Sequence, residues 1–141
     1  MRCEEIMKTN LSCLKPQDTV QEAARLMREQ NVGFIPICDN DKKVQGTITD
    51  RDLATRVLAD ARDPQTPLSD CMSTELVYCS PQDDVSRAQE LMAKHRKSRM
   101  LVCDREGRVQ GVISLSDIAQ LSEAANAHHT LQQVSSREAR A

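Results

Sequence analysis

Two short segments combine a hydroxyl residue and a carboxylate at a spacing suited to ligand binding. They are Gly46-Thr-Ile-Thr-Asp-Arg-Asp52 and Gly111-Val-Ile-Ser-Leu-Ser-Asp117. In each, the hydroxyl residue that ends an apolar strand is followed three positions later by an aspartate. The pairs are Thr49 with Asp52 and Ser114 with Asp117. Because an ionised carboxylate can accept both hydroxyl protons of a ribose cis-diol, this combination predicts recognition of a sugar.

The same spacing is typical of a helix capping box. There the hydroxyl residue caps the helix, and the carboxylate at the third helical position reaches back to the backbone. The aspartate would repel phosphate, so the phosphates of a nucleotide would need basic side chains elsewhere. Both interpretations stay open, since capping and binding can coexist.

Both segments belong to an internal repeat. A shift of 65 positions aligns residues 7–54 with residues 72–119 without a gap. The matched stretches include Pro16-Gln17-Asp18 with Pro81-Gln82-Asp83, and Val44-Gln45-Gly46 with Val109-Gln110-Gly111. Chance does not place such identities in one register, so each half of the chain is a copy of the same structural unit.

Each copy predicts the element order β-α-β-β-α. A short strand at 11–14 or 76–79 comes first. A helix starting at Asp18 or Asp83 follows. Its apolar stripe consists of Val20, Ala23, Ala24 and Met27 in one copy and Val85, Ala88, Leu91 and Met92 in the other. Apolar runs joined by a polar turn then predict a hairpin, over 34–49 in the first copy. The second helix carries Leu53, Ala54, Val57 and Leu58, or Ile118, Ala119 and Leu121.

The sequence therefore predicts an α/β protein of the α+β kind with two β-α-β-β-α repeats. The first repeat is assigned to 1–60, a proline-containing linker to 61–67, the second repeat to 68–123, and a helical extension or disordered tail to 124–141. One repeat of about 55 residues buries too little apolar surface alone. We expect the repeats to pack about a pseudo-two-fold axis, with the functional cleft between them.

Composition and charge disfavour several classes of partner. The 141 residues carry a formal net charge of −2, and they include one Phe, one Tyr and no Trp. Interspersed charges and so few aromatic side chains argue against nucleic acid. No apolar run is long enough to cross a bilayer and the start lacks a signal-peptide pattern, so we expect a cytoplasmic protein that binds no membrane.

No catalytic or metal-binding constellation is evident in the sequence. The cysteines, at positions 3, 13, 38, 71, 79 and 103, form no CxxC pair and have no clustered histidine partner. This pattern favours core thiols over zinc binding or redox chemistry. A nucleophile with a base, or paired acids, is also missing, so no enzymatic activity is expected.

The duplicated motifs, each preceded by a hairpin and by a Met-x-Thr…Pro-x-Asp start, resemble the tandem CBS domains of a Bateman module. The resemblance covers about residues 3–122. It implies a repeated fold of the kind described above. It also implies a regulatory ligand rather than a required cofactor: an adenine nucleotide (AMP, ADP or ATP) or a related adenosine compound such as S-adenosylmethionine.

The first ligand site implied by the resemblance centres on Thr49 and Asp52, which would hold the ribose. The backbone of Val77 would contact adenine, and Arg99 would bind phosphate. Taken alone, Arg99 is also typical of plain surface charge. Its counterpart in the first repeat is Phe34.

The second implied site centres on Ser114 and Asp117 for the ribose. Ser12 would contact the adenine edge, and Arg51 would bind phosphate, although it too is typical of surface charge. The counterpart of Arg51 in the second repeat is Ser116. Each site is thus expected to have one cation, which disfavours tight binding of a triphosphate.

An alternative hypothesis keeps the fold without the ligand. In it the chain is a degenerate CBS pair that serves as a dimerisation or protein-interaction scaffold. A homodimer is expected under both hypotheses, since standalone modules resembling this one associate in pairs. A regulated partner protein is expected if the chain is a sensor. Stabilisation by an adenine nucleotide distinguishes the two hypotheses.

Overall fold

A computed structural model describes residues 1–121 and 131–135 of the protein. Its helices and strands are α1 (Cys3–Ile6), α2 (Val20–Gln30), β1 (Phe34–Cys38), β2 (Val44–Thr49), α3 (Asp50–Asp52), β3 (Tyr78–Cys79), α4 (Val85–His95), β4 (Arg99–Cys103), β5 (Val109–Ser114) and α5 (Leu115–Leu121). A π-helical segment, Leu53–Leu58, follows α3, a 3-10 turn occupies Leu68–Asp70, and residues 131–135 are helical. This mixture of helices and strands confirms the α+β fold class.

The chain forms two compact units that do not follow the order of the repeats. The middle unit comprises Ser12–Leu76 and Gly107–Val109. The terminal unit comprises Met1–Leu11, Val77–Glu106 and Gln110–Ala141. The N-terminal arm, Met1–Leu11, is therefore grouped with the second repeat, while residues 68–76 are grouped with the first. The boundaries predicted for the sequence repeats stay a prediction.

In the middle unit, α2 packs beside an antiparallel sheet of β1 and β2. α2 begins after Thr19, whose Oγ1 accepts a hydrogen bond from Glu22 N while the Glu22 carboxylate accepts one from Thr19 N. This capping box fixes the start of the helix. Its apolar face is buried in a core that includes Ala23, Met27, Ile35, Ile37, Ile48 and Leu68. The predicted hairpin over 34–49 is confirmed.

In the terminal unit, a three-stranded sheet has the order β3-β4-β5, and β3 runs parallel to β4. α4 begins after Asp84, whose carboxylate accepts a hydrogen bond from Ser86 N at 3.0 Å. The core collects buried side chains from the arm, the sheet and the helices, among them Cys3, Ala88, Met92, Val102, Ile113, Ile118 and Val134. The arm is thus part of this core.

Each unit also contains an extended segment that pairs with the second strand of its hairpin. In the terminal unit, Lys8 exchanges backbone hydrogen bonds of 2.9 and 3.0 Å with Val112 of β5. In the middle unit, Ser73 exchanges two bonds of 2.9 Å with Thr47 of β2. Under the shift of 65 positions, Lys8 corresponds to Ser73 and Thr47 corresponds to Val112. The repeat in the sequence is therefore reproduced by the pairings inside each unit.

Gly46 in β2 and Gly111 in β5 permit the paired extended segment to lie close to each strand. A Cβ atom added at Gly46 would lie 2.7 Å from the backbone oxygen of Ser73 and 2.8 Å from the sulfur of Met72. A Cβ atom at Gly111 would lie 2.7 Å from side-chain atoms of Met7. The first contact involves a backbone atom, whereas the second involves only the Met7 side chain.

Four predicted element bounds are wrong. In place of the strand at 11–14, the structure has a single bridge between Leu14 and Ile37. The strand predicted at 76–79 is shortened to β3. Both long helices begin two residues later than predicted, because the carboxylates of Asp18 and Asp83 accept backbone hydrogen bonds inside the preceding turns.

Four residues predicted for apolar stripes are exposed: Ala24, Ala54, Leu58 and Ala119. Ala24 faces solvent on α2, whereas Leu26 packs against the core. Leu58 is 78% exposed because the π-helical turn changes the direction of the side chains relative to an α-helix. Of the tail predicted at 124–141, residues 131–135 are helical, and the other residues lie outside the described part.

We predict that Gly46→Ala lowers the free energy of unfolding by about 1–3 kcal/mol, because the new methyl group meets the Ser73 carbonyl held in the strand pairing. Adding Met72→Ala should recover little of this loss, since the carbonyl oxygen remains. At Gly111→Ala, by contrast, adding Met7→Ala removes two of the three crowding atoms and should recover part of the stability. Urea denaturation of the four variants tests this, and equal recovery at both glycines would contradict it.

Candidate functional site

In the middle unit, Thr49 and Asp52 form a capping box at the turn from β2 to α3. Thr49 Oγ1 accepts a hydrogen bond from Asp52 N at 3.1 Å. In return, Asp52 Oδ2 accepts one from Thr49 N at 3.0 Å. The capping interpretation is therefore confirmed at this position.

The other oxygen of Asp52 lies beside a cation. Arg56 Nε is 3.7 Å from Asp52 Oδ1, and Arg56 Nη1 donates to the backbone oxygen of Cys71 at 3.3 Å. The Asp52 side chain is 18% exposed. Because each carboxylate oxygen can accept two hydrogen bonds, Asp52 keeps acceptor capacity for a ligand hydroxyl. Capping therefore leaves room for the predicted sugar contact.

The terminal unit repeats this arrangement at the turn from β5 to α5. Ser114 Oγ accepts a hydrogen bond from Asp117 N at 3.1 Å, and Asp117 Oδ2 accepts one from Ser114 N at 3.1 Å. The hydroxyls of Ser114 and Ser116 lie 2.9 Å apart. This turn thus presents two hydroxyls and a carboxylate, one hydroxyl more than the pattern in the middle unit.

The cation beside Asp117 comes from the N-terminal arm. Lys8 Nζ lies 3.5 Å from Asp117 Oδ1, with the lysine side chain 71% exposed and the aspartate 15%. Burial alone would raise the pKa of the Asp117 carboxyl, but hydrogen bonds from Ser114 and the charge of Lys8 hold that pKa below its ordinary value of 3.8. Asp117 is therefore an ionised acceptor at neutral pH.

A pocket of about 440 Å³ lies next to this turn, inside the terminal unit. Arg99 and Ser114 both line it, and Arg99 Nη1 donates to Ser98 Oγ at 3.4 Å. The other lining residues are Ser98, Leu115, Ser116, Ala119, Leu131, Val134 and Ser135. The pocket thus combines one guanidinium and several hydroxyls with an apolar wall.

The remaining predicted site residues divide between the units. In the middle unit, Ser12 Oγ accepts a hydrogen bond from Gln30 Nε2 at 2.6 Å, and the Arg51 side chain is exposed. In the terminal unit, Val77 packs against the core. The structure brings Arg99 beside Ser114, so the predicted role of Arg99 at the Thr49 site stays a prediction. So do the roles of Ser12, Val77 and Arg51.

Two cations at these turns were missed by sequence reasoning. Arg56 follows Asp52 by four residues, a helical ion-pair spacing that was available as a signal. Lys8 is far from Asp117 in the sequence, so no local pattern pointed to it. Only the pairing of the arm with β5 brings these two residues together.

The described residues contain no group of three or more His, Cys, Asp or Glu side chains that could hold a metal ion. Within residues 1–121 and 131–135, no helix combines the length and the apolar character needed to span a bilayer.

Comparison with known proteins places the repeat in a family. A family model described as CBS domain matches residues 3–59 and 68–124. CBS domain-containing protein YhcV of Bacillus subtilis is 41% identical over 116 residues, which cover 82% of this chain and 81% of that protein. Hypoxic response protein 1 of Mycobacterium tuberculosis is 30% identical over 117 residues, with 82% and 81% covered.

Solved structures agree with this assignment. The crystal structure of Hypoxic Response Protein I with two coordinated zinc ions superposes with a TM-score of 0.79 at 27% identity, covering 87% of this chain and all of that one. The CBS domain pair of protein MJ0100, in complex with 5′-methylthioadenosine and S-adenosyl-L-methionine, gives a TM-score of 0.78 at 24% identity, with 86% and 94% covered. At 24% identity, the similarity to the MJ0100 domain pair shows a shared fold.

We predict that Asp117→Asn destabilises the protein by about 1 kcal/mol at pH 7, because the variant loses the charged acceptor of the capping box. The pKa of Asp117 is lowered in the folded state, so its contribution is complete above 3.8, the unfolded value, and disappears as pH falls through the folded-state pKa. In urea denaturation at pH 7, 4 and 2, the difference in the free energy of unfolding between the variant and wild type should decrease toward zero as the pH falls. A difference independent of pH would contradict a role for the charge.

Proposed function

Because the chain belongs to the CBS-domain family, with two CBS domains in tandem, we propose that it is a regulatory module that binds an adenosine-containing ligand. The observation that carries the proposal is the duplicated turn. Each unit presents a hydroxyl and a carboxylate, Thr49 with Asp52 and Ser114 with Asp117, and each carboxylate has an oxygen that the backbone does not use. This is the acceptor geometry that a ribose diol requires.

A member of the same fold supports the class of ligand. The CBS domain pair of protein MJ0100 was crystallised with two adenosine compounds. At 24% identity that likeness concerns the fold, so the proposal depends on the residues of this chain. AMP, ADP or ATP is the proposed ligand, with one phosphate-binding cation, Arg99 or Arg51, serving each site. The proposal includes a cytoplasmic location and a homodimeric assembly. In it the protein regulates a partner protein and catalyses no reaction.

The scaffold hypothesis is favoured by one specific observation. Both carboxylates already have a cation within 4 Å, Arg56 beside Asp52 and Lys8 beside Asp117. If these pairs are purely structural, the turns need no ligand. Calorimetric titration of the full chain with AMP distinguishes the hypotheses, since a scaffold gives no saturable heat and no shift in thermal midpoint at millimolar nucleotide.

We predict that the chain binds AMP at least tenfold more tightly than 2′-deoxy-AMP, because the missing hydroxyl leaves a desolvated carboxylate without its partner. Asp52→Asn and Asp117→Asn should each remove that discrimination at one site. Asp50→Asn is the matched control, since it removes an equal charge two residues from Asp52 without touching the capping box. If both carboxamide variants bind AMP as wild type does, the aspartates are caps alone.

The cations provide a separate prediction. In an Asp117→Ala background, which retains the Thr49–Asp52 site, adding Arg99→Ala should weaken AMP binding about tenfold or more through loss of a charge-assisted phosphate contact. Adding Arg51→Ala in that background should leave the affinity unchanged. The reverse result is expected in an Asp52→Ala background. If Arg99 instead acts only when Asp117 is intact, it serves the Ser114 pocket that it lines, and the assignment from the sequence is wrong.

A further inference from the structure

Two thiols face each other in the core of the terminal unit. Cys3 Sγ on α1 and Cys79 Sγ on β3 lie 3.6 Å apart, and both side chains are buried. Each thiol also contacts a backbone oxygen: Asp84 O lies 3.8 Å from Cys3 Sγ, and Leu101 O lies 3.7 Å from Cys79 Sγ. The pair therefore joins the N-terminal arm to the edge of the sheet.

Packing does not require sulfur at these positions. The shift of 65 positions relates Cys3 to Leu68 and Cys79 to Leu14. Both leucines belong to the core of the middle unit. The amides of Cys3 and Leu68 each donate a 2.8 Å hydrogen bond to the carbonyl of an aspartate at matching positions. The same local structure is thus built with apolar side chains in one unit and with facing thiols in the other.

We propose that Cys3 and Cys79 form a reversible intrachain disulfide that fixes the N-terminal arm to β3 when the protein meets a low-molecular-weight disulfide. Cys3 loses its proton to solvent and its sulfur attacks one sulfur of the oxidant, which releases one thiolate. Cys79 then loses its proton and attacks the Cys3 sulfur of the mixed disulfide, which releases the second thiolate. Two protein thiols are oxidised, and one small disulfide is reduced to two thiols.

The environment distinguishes the attacking thiol from the resolving thiol. The hydrogen bond from Cys79 is the main cause that lowers the pKa of Cys3, and it outweighs burial. The same hydrogen bond, together with burial, raises the pKa of Cys79. The thiolate fraction is therefore greater at Cys3, which is the sulfur nearer the end of the chain.

An oxidant reaches Cys3 when the arm opens. α1 has only four residues. Besides the buried side chains of Cys3 and Ile6, its anchors include backbone bonds from Glu4 N to Pro81 O at 3.0 Å and from Val85 N to Met1 O at 2.8 Å. Terminal segments open more readily than the interior of a unit. Oxidation is therefore slow while the arm is closed. Once the arm recloses, the disulfide holds it against β3.

The disulfide has a consequence for the turn at Asp117. Lys8 lies five residues beyond Cys3 and contacts Asp117 only while the arm is paired with Val112. A covalent bond at Cys3 reduces the opening of that pairing. The middle unit has no thiol at the equivalent positions, so its Thr47–Ser73 pairing is unaffected.

The test uses the full chain carrying Cys13→Ser. Cys13 is exposed, and its pKa is lowered to about 7, chiefly by a hydrogen bond from Cys38, so it would react first and obscure the result. After incubation with oxidised glutathione, peptide mass spectrometry should identify a Cys3–Cys79 disulfide in a chain that runs as a monomer on a non-reducing gel. The Tm should rise by about 5 °C or more and return with dithiothreitol.

Hydrogen exchange gives a second readout that needs no nucleotide. In the oxidised protein the Lys8 and Val112 amides should exchange at least about tenfold more slowly, while the Thr47 and Ser73 amides serve as the internal control and stay unchanged. Cys3→Ala in the same background should show neither change. The proposal is overturned if Cys3 and Cys79 remain alkylatable after oxidation, if they bond only between chains, or if the arm amides exchange as before.

Discussion

Each unit depends on the pairing between an extended segment and the second strand of its hairpin. The two backbone hydrogen bonds between Lys8 and Val112, and those between Ser73 and Thr47, cover the edge of that strand. They also explain why the strand contains glycine, since Gly46 and Gly111 lie where the segment crosses. Since the arm supplies this pairing in the terminal unit, a segment at the start of the chain helps to complete a sheet made mainly from its second half.

The same pairing makes the two candidate turns electrostatically different. Asp52 has a local cation, because Arg56 lies one helical turn further along. Asp117 has a remote one, because Lys8 reaches it only through the arm. The hydrogen bonds of the two capping boxes are nearly identical, so the two turns differ in which part of the chain provides the neighbouring cation. Opening of the arm would therefore separate Lys8 from Asp117 and leave the pair of Asp52 with Arg56 in place.

Much of the fold could be predicted from local patterns. The hairpin, the helix stripes and the capping boxes each arise from residues close in sequence, and the repeat strengthened every one of them. The errors came from tertiary context. Leu58 is exposed because the backbone after α3 adopts a π-helical turn, which no spacing rule anticipates. The strand at 11–14 is missing because only Leu14 meets β1.

The candidate site was predictable where it is local and not where it is assembled from distant residues. Thr49 with Asp52 and Ser114 with Asp117 are three residues apart, so their spacing revealed them. The contact of Lys8 with Asp117 and that of Cys3 with Cys79 join the arm to the second repeat. They depend on the arm belonging to the terminal unit, which the order of repeats in the sequence does not indicate.

The central claim, that the carboxylate of a capping box also holds a ribose, is tested most directly by a crystal structure of the protein with AMP. We expect the 2′- and 3′-hydroxyl oxygens to lie within about 3 Å of carboxylate oxygens of Asp52 or Asp117, with the capping hydrogen bonds intact. AMP bound elsewhere on the protein, or bound with its ribose turned away from both aspartates, would contradict the account.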